Sequence, residues 1–240
     1  MNKKPYRVSV LAKKLDVTSQ EIHRNFDRLA QMGYVRKGAD EHYHITAIGK
    51  IMHAQLPLVR FLSKNRKFFE QHDVGDMPIK FTKRLGVLED STHIKGVTMV
   101  LDKWKSIYKN AKEFVFDSVT ESPPGLIDPL IKRISGGAVY KHVITEDLIE
   151  PDGRTRTLEK LGYFDLIKSG KIERKVATSS KIILVINEKE AAVVFSANDG
   201  DPDLRNMFYG KDPLFHEWCV DYFEYIWKKA KKIPRASSKK

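Results

Sequence analysis

The run Leu11-Ala12-Lys13-Lys14-Leu15-Asp16-Val17-Thr18-Ser19-Gln20-Glu21-Ile22-His23-Arg24-Asn25-Phe26 falls into two halves joined at Asp16-Val17. Before the joint, Ser9 can cap a short helix whose apolar stripe is Val10, Leu11 and Leu15. After it, Thr18 followed three residues later by Glu21 is a capping box, in which each side chain satisfies an orphan backbone N–H of the other. The helix it opens carries Ile22, Phe26, Leu29 and Ala30 at helical spacing and meets its natural stop at Gly33. Tyr34-Val35-Arg36 and Tyr43-His44-Ile45 then flank Gly38-Ala39-Asp40, the pattern of a strand hairpin. Helix, tight turn, helix and hairpin together predict a winged helix-turn-helix that lacks its first helix. Thr46 starts a further helix, expected to break at Pro57 and resume to about His72.

A second helix of this kind fits the ~12 Å major groove of duplex DNA and offers its N-terminal turns to base edges. Opposite its apolar stripe stand Thr18, Ser19, Gln20, His23, Arg24, Asp27 and Arg28. Gln pairs with adenine through two hydrogen bonds, and Arg with guanine or phosphate. Lys13 and Lys14 would lie near the backbone, and Arg36 and Lys37 lead into the hairpin. The charge distribution agrees. Residues 1–70 hold 14 Lys/Arg against 6 Asp/Glu, so +8 of the net +12 sits in under a third of the 240 residues. A small unit so basic attracts phosphate backbones through counterion release. A second basic cluster, from Lys228 to Lys240, closes the chain.

From residue 78 onward the elements alternate. Helices are expected over Ile94 to Lys112, Leu126 to Ile134, Leu158 to Ile167 and Pro213 to Lys231. Strands are expected from Phe114, over Val139 to Ile144, Ile172 to Ala177, Ile182 to Ile186 and Ala191 to Phe195. Alternation of this kind predicts a three-layer α/β domain. With ~150 residues per domain as a guide, the chain is assigned residues 1–72 as a DNA-binding unit with linker helix and 73–240 as an α/β unit. The longest unbroken apolar run, Ile182 to Ile186, is too short to span a bilayer, and the N-terminal residues carry no secretory signal. The single cysteine, Cys219, excludes an intrachain disulfide and fits a reducing cytosol, so a soluble cytoplasmic protein is expected. His42 and His44 alternate on a strand with nothing to complete a metal site. Gly136-Gly137 lacks the lysine of a phosphate loop, and no cofactor is expected. Trp218, Tyr222, Phe223 and Trp227 share one helix and read as core or dimer interface.

These residues resemble a known group: archaeal winged-helix transcriptional regulators with a methanogenesis-regulator or filament-regulator middle domain, similar in layout to the sugar-sensing Trm-type regulators. At the N-terminus the resemblance lies in Leu11 to Thr18, Gln20-Glu21, Arg24, Leu29, Gly33-Tyr34-Val35 and Tyr43-His44-Ile45-Thr46. It continues in Phe68-Phe69, His72-Asp73, Pro78 and Leu85-Gly86. It closes with Ala191 to Phe195, Asp199-Gly200, Asp212 to Cys219, Tyr222-Phe223, Tyr225 and Trp227. The resemblance implies DNA binding as a homodimer and a C-terminal domain of the phospholipase-D-like fold, used as a sensor or oligomerisation platform.

Active members of that fold attack phosphorus with a histidine, hold the charge with a lysine two residues on, and follow with an aspartate. Here the corresponding stretch reads Ser179-Ser180-Lys181, Ile186 falls where the aspartate would be, and the later Gly-Ser-x-Asn is Phe195-Ser196-Ala197-Asn198. The lysine, serine and asparagine remain while the nucleophile is gone, so no catalytic residue is assigned. Lys181, Ser196 and Asn198 are the expected binding residues for a small polar or anionic effector. The leading expectation is a dimeric DNA-binding regulator that is not an enzyme. The alternatives are a phosphodiesterase or nuclease with an atypical active site, and a winged-helix adaptor for protein partners.

Overall fold

Asp16 takes left-handed backbone (φ 54°), which ends α1 (Val8–Leu15) and turns the chain toward α2 (Ser19–Gln31). The N-cap of α1 is Arg7, with no side-chain cap, so Ser9 lies inside the helix and does not cap it. α2 begins at the capping box of Thr18 and Glu21 and ends just before Gly33, where the spacing placed it. β1 (Val35–Lys37) and β2 (Tyr43–Ile45) pair antiparallel, with Arg36 opposite His44. The Thr46 hydroxyl accepts the Gly49 N–H at 3.1 Å and donates to the Gly33 carbonyl at 2.6 Å, tying the start of α3 (Ala47–Lys64) to the end of α2.

The structure, a computed structural model, describes residues 7–39, 41–119, 125–146, 154–178 and 181–233. It divides into two units, Met1–Val59 and Arg60–Lys240, and the division falls within α3. Residues 60–72, grouped by sequence with the first unit, belong to the second. Pro57 does not interrupt α3: proline removes one backbone donor, and the helix continues through it to Lys64. Nor does a helix reach His72, which lies in a short strand.

The second unit runs α4 (Arg66–Phe69), β3 (His72–Asp73), α5 (Ile79–Thr82), a 3₁₀ turn at Leu85–Leu88, β4 (Thr92–Lys95), α6 (Val97–Asn110), β5 (Phe114–Val119), α7 (Ile127–Ser135) and β6 (Val139–Thr145). It continues through α8 (Arg154–Lys160), α9 (Tyr163–Lys168), β7 (Ile172–Ala177), β8 (Ile182–Asn187), β9 (Ala191–Ala197), β10 (Asn206–Gly210), α10 (Pro213–Lys229) and β11 (Lys231–Lys232). One sheet orders the strands β11-β7-β6-β5-β8-β9-β10-β4, with β3 added to β9. β5, β6 and β7 are parallel, while β8 and β9 pair antiparallel as a hairpin.

Three layers result, as the alternation predicted. Val115, Tyr140, Ile183, Val185 and Val194 face α6 to α9 in one apolar cluster. Residues of the opposite parity, such as Leu184, Val193 and Phe208, are likewise buried, as are Trp218, Cys219 and Phe223 of α10. All six residues of β8 are buried, which makes it the central strand by burial as well as by order. Each such Val, Leu or Ile contributes about 1.5–3 kcal/mol. Two helix boundaries differ from the sequence reading because of glycine. Ile94 lies in β4, and Gly96 (φ 95°) separates that strand from α6. Gly162 (φ 71°) splits the expected single helix into α8 and α9, since other residues rarely adopt that backbone.

Candidate nucleic-acid interface

α2 is held by few contacts, and they decide which face it presents. Its capping box is complete: the Thr18 N–H donates to Glu21 Oε2 at 2.8 Å, and the Glu21 N–H donates to Thr18 Oγ1 at 3.2 Å. The bonds from Thr18, backbone first and hydroxyl second, hold the Glu21 carboxyl below its ordinary pKa. Ile22 is buried, and the Phe26 ring stacks on Tyr43 at 4.3 Å, pinning the helix against β2. With that side committed, Ser19, Gln20, His23, Arg24, Asp27 and Arg28 are all exposed. Thr18 is exposed too, but its hydroxyl serves the cap.

On the hairpin, Arg36 and Lys37 are both exposed. They differ in partners. Lys37 forms an ion pair with Glu41 across the hairpin, and the Glu41 carboxylate raises the pKa of its ammonium. Arg36 has no ion pair among the described residues. The face therefore offers Gln20 as a neutral two-way hydrogen-bonding group, Arg24 and Arg28 as exposed cations, and Arg36 on the wing.

The second unit treats its expected effector residues differently. Ser196 is fully buried and its hydroxyl donates to the Lys181 carbonyl at 2.5 Å. The Asn198 side-chain amide donates to the Glu70 carbonyl at 3.1 Å, and its backbone N–H to the Gln71 carbonyl. The Lys181 ammonium stands 3.9 Å from Asp73. These groups are neighbours, but the Ser196 and Asn198 donors are spent on the chain itself, and the half-exposed Lys181 ammonium faces Asp73, which β3 brings opposite Ser196. Ile186, in the place of an aspartate, is fully buried. Ser179 and Ser180 lie outside the described residues. Trp218, Tyr222, Phe223 and Trp227 are buried in this unit's own core, where the Trp218 indole N–H donates to the Phe81 carbonyl at 3.1 Å, so they are core and not an open interface.

Two buried polar clusters were not visible in the spacing of residues. His72 is stacked on Phe68 and sits with Nδ1 2.7 Å from the Phe68 carbonyl and Nε2 3.0 Å from Asp203. Asp203 also accepts from Arg205 at 2.7 Å and Asn206 at 2.8 Å. Burial opposes its charge, yet the bonds from Arg205, His72 and Asn206 outweigh that and hold its carboxyl well below the usual carboxylate range. The partners are 131 residues apart, so no local motif announces them. Under α6 and α7, Asp117 accepts from the hydroxyls of Tyr108 and Tyr140 and lies 2.5 Å from His142 Nδ1. Burial, then the Asp117 charge, pushes both tyrosines up in pKa. Here a signal existed: Asp117 and His142 are polar residues at inward positions of apolar strands. Among the described residues no group of three or more His, Cys, Asp or Glu could hold a metal ion, and no helix is long and apolar enough to cross a membrane.

No family model and no curated protein matches the chain. Among solved structures it is similar to TrmBL2, described as an archaeal chromatin protein showing a novel mode of DNA binding, with 16% identity over 91% of this chain and 84% of that one, TM-score 0.49. It is also similar to Nuc, a phospholipase D family member from Salmonella typhimurium, at 11% identity over 61% of this chain and all (100%) of that one, TM-score 0.44. A third likeness is to NucT from Helicobacter pylori, at 12% identity over 60% of this chain and 99% of that one, TM-score 0.47. None of the three reaches a TM-score of 0.5, so the functional reading stands on this chain's own residues.

Proposed function

We propose that the chain is a DNA-binding transcriptional regulator that works as a homodimer, reads duplex DNA with α2 and uses the α/β unit for sensing, without turnover of phosphodiesters. The observation that carries the reading is the exposed face of α2: Ser19, Gln20, His23, Arg24 and Arg28 stand free while Ile22, Phe26 and the capping box fix the helix from the other side. Arg24 and Arg28 supply charge for phosphate or guanine, and Gln20 supplies the paired donor and acceptor that adenine matches. Arg36 would follow the backbone beside the groove.

Dimerisation is supported by α3. Within the first unit Ile48, Ile51, Met52, Leu56 and Val59 are exposed, and Ile48, Met52, Gln55 and Val59 recur at heptad-like spacing. A seam apolar at three of these four positions, Gln55 being the polar one, suits a second helix, and one head alone would make few contacts against competing genomic DNA. Two heads on a two-fold axis would meet half-sites ~34 Å apart.

The non-catalytic reading is supported by Ile186, which offers no carboxylate, and by Ser196, whose hydroxyl is committed to the Lys181 carbonyl. The test incubates the purified chain with labelled duplex from its own upstream region. Retarded, intact duplex is expected; cleaved product that disappears with Lys181→Ala would overturn the reading in favour of a phosphodiesterase.

A further inference from the structure

α6 and α7 lie side by side on one face of the second unit, and between them runs an open groove of about 690 Å³. Its lining is dominated by cations: Lys105 and Lys109 from α6, Lys132 and Arg133 from α7. None of the four has an ion-pair partner among the described residues. Lys105 and Lys109 stand four residues apart on one helix, a spacing at which like charges repel. Among the described residues Asp128 is the single acid in the lining, so these side chains together carry a net charge of +3. Asn110 also lines it, with its amide nitrogen donating to Glu190 at 2.8 Å and to Ser106 at 3.4 Å.

We propose that this groove binds a small diphosphate-bearing molecule. Charge complementarity selects the class: an anion of two to three charges neutralises a net +3, and lysine and arginine give charge-assisted hydrogen bonds to phosphate oxygens. The volume lies within the range of small-ligand sites. Among the described residues no aromatic side chain lines the groove. Bases therefore have nothing to stack on, as a single-stranded nucleic acid would require, and the diphosphate itself is what is recognised. Asp128 sets the group against a continuous strand of phosphates, which would run past a like charge. This moves the anion site from Ser196 and Asn198, whose donors are engaged, and Lys181, which faces the Asp73 carboxylate, to cations with no ion-pair partner among the described residues. The inference deepens the sensor reading and rests on it only for the biological consequence; binding in the groove is measurable whether or not the chain regulates transcription.

The test uses the full chain with inorganic pyrophosphate at about physiological ionic strength. Binding is followed by calorimetry and by the rise in melting temperature. The groove variant is Lys105→Gln with Lys132→Gln, and the control of equal charge is Lys83→Gln with Lys95→Gln, two exposed lysines elsewhere in the unit. Saturable binding is expected, weakened at least tenfold in the groove variant and unchanged in the control. Absence of binding, an equal response to sulfate at matched ionic strength, or equal losses in both variants would overturn the proposal. A DNA arm separates the two sources of phosphate. The groove variant should keep its affinity for duplex within about twofold; a larger loss, with the control unaffected, would assign the groove to the DNA backbone and overturn the small-molecule ligand. Failure of DNA binding in the unmodified chain would instead count against the regulator reading and leave the pyrophosphate result standing.

Discussion

Lys37 and Arg36 are adjacent, equally charged and both exposed, yet among the described residues only Lys37 already has an anion. Binding a phosphate through Lys37 must first break its pair with Glu41, whereas Arg36 gives up nothing. Arg36→Ala should therefore weaken binding to all duplexes about equally and lower the salt slope by about one, while Lys37→Ala should do clearly less. Titrations of both variants at several salt concentrations check the order. The buried carboxylate of Asp203 makes a different kind of prediction. Its pKa is held down in the folded chain by Arg205, His72 and Asn206, so its contribution is present above the unfolded value near ~3.9 and is lost as pH falls below it. Asp203→Ala removes the acceptor of the buried His72 ring and of Asn206, while the exposed Arg205 rehydrates, and should cost about 1–3 kcal/mol at pH 7. The difference between wild type and variant in urea midpoints should shrink as the pH is lowered through 4; a gap that stays constant to pH 3 would contradict the assignment.

α3 carries the assembly claim. Replacing Ile48 and Val59 together by Asp puts two charges into the proposed seam and should convert the dimer to monomer at micromolar concentration in sedimentation runs, with helicity retained. An unchanged dimer would place the interface elsewhere. At this scale the sequence was readable wherever a local rule had no competitor. The Thr18–Glu21 box, the hairpin of β1 and β2, and the β8–β9 hairpin all stand where their residues put them. It misled where a single residue was overruled by its surroundings. Pro57 did not end α3, Ser9 did not cap α1, and Gly96 and Gly162 cut helices whose apolar spacing ran on. β10 was not foreseen: Asn206-Met207-Phe208-Tyr209-Gly210 is brief and follows a polar loop, and it becomes a strand because β9 and β4 flank it. The candidate DNA face was legible because helical periodicity separates its two sides. The engagement of Asn198 was not, because it depends on the chain around Glu70 and Gln71, beside β3, meeting the end of β9 across more than 120 residues.

The whole molecule divides its labour unevenly. Among the described residues the first unit buries few apolar side chains beyond Ala12 and Ile22 and leaves Ile48, Ile51, Met52 and Val59 exposed. The second carries the large core and the α6–α7 groove, whose cations have no ion-pair partner among the described residues. The claim on which the rest depends is that α2 reads base edges. Its most direct test is the affinity of wild type, Gln20→Ala and Arg24→Ala for the upstream duplex and for a random duplex of equal length, each across a range of salt. On the upstream duplex each substitution should cost about 1–3 kcal/mol. On random DNA the Gln20→Ala loss should nearly vanish, and wild-type binding should fall steeply with salt. Equal losses for Gln20→Ala on both duplexes, or wild-type affinity in both variants, would contradict a recognition role for α2.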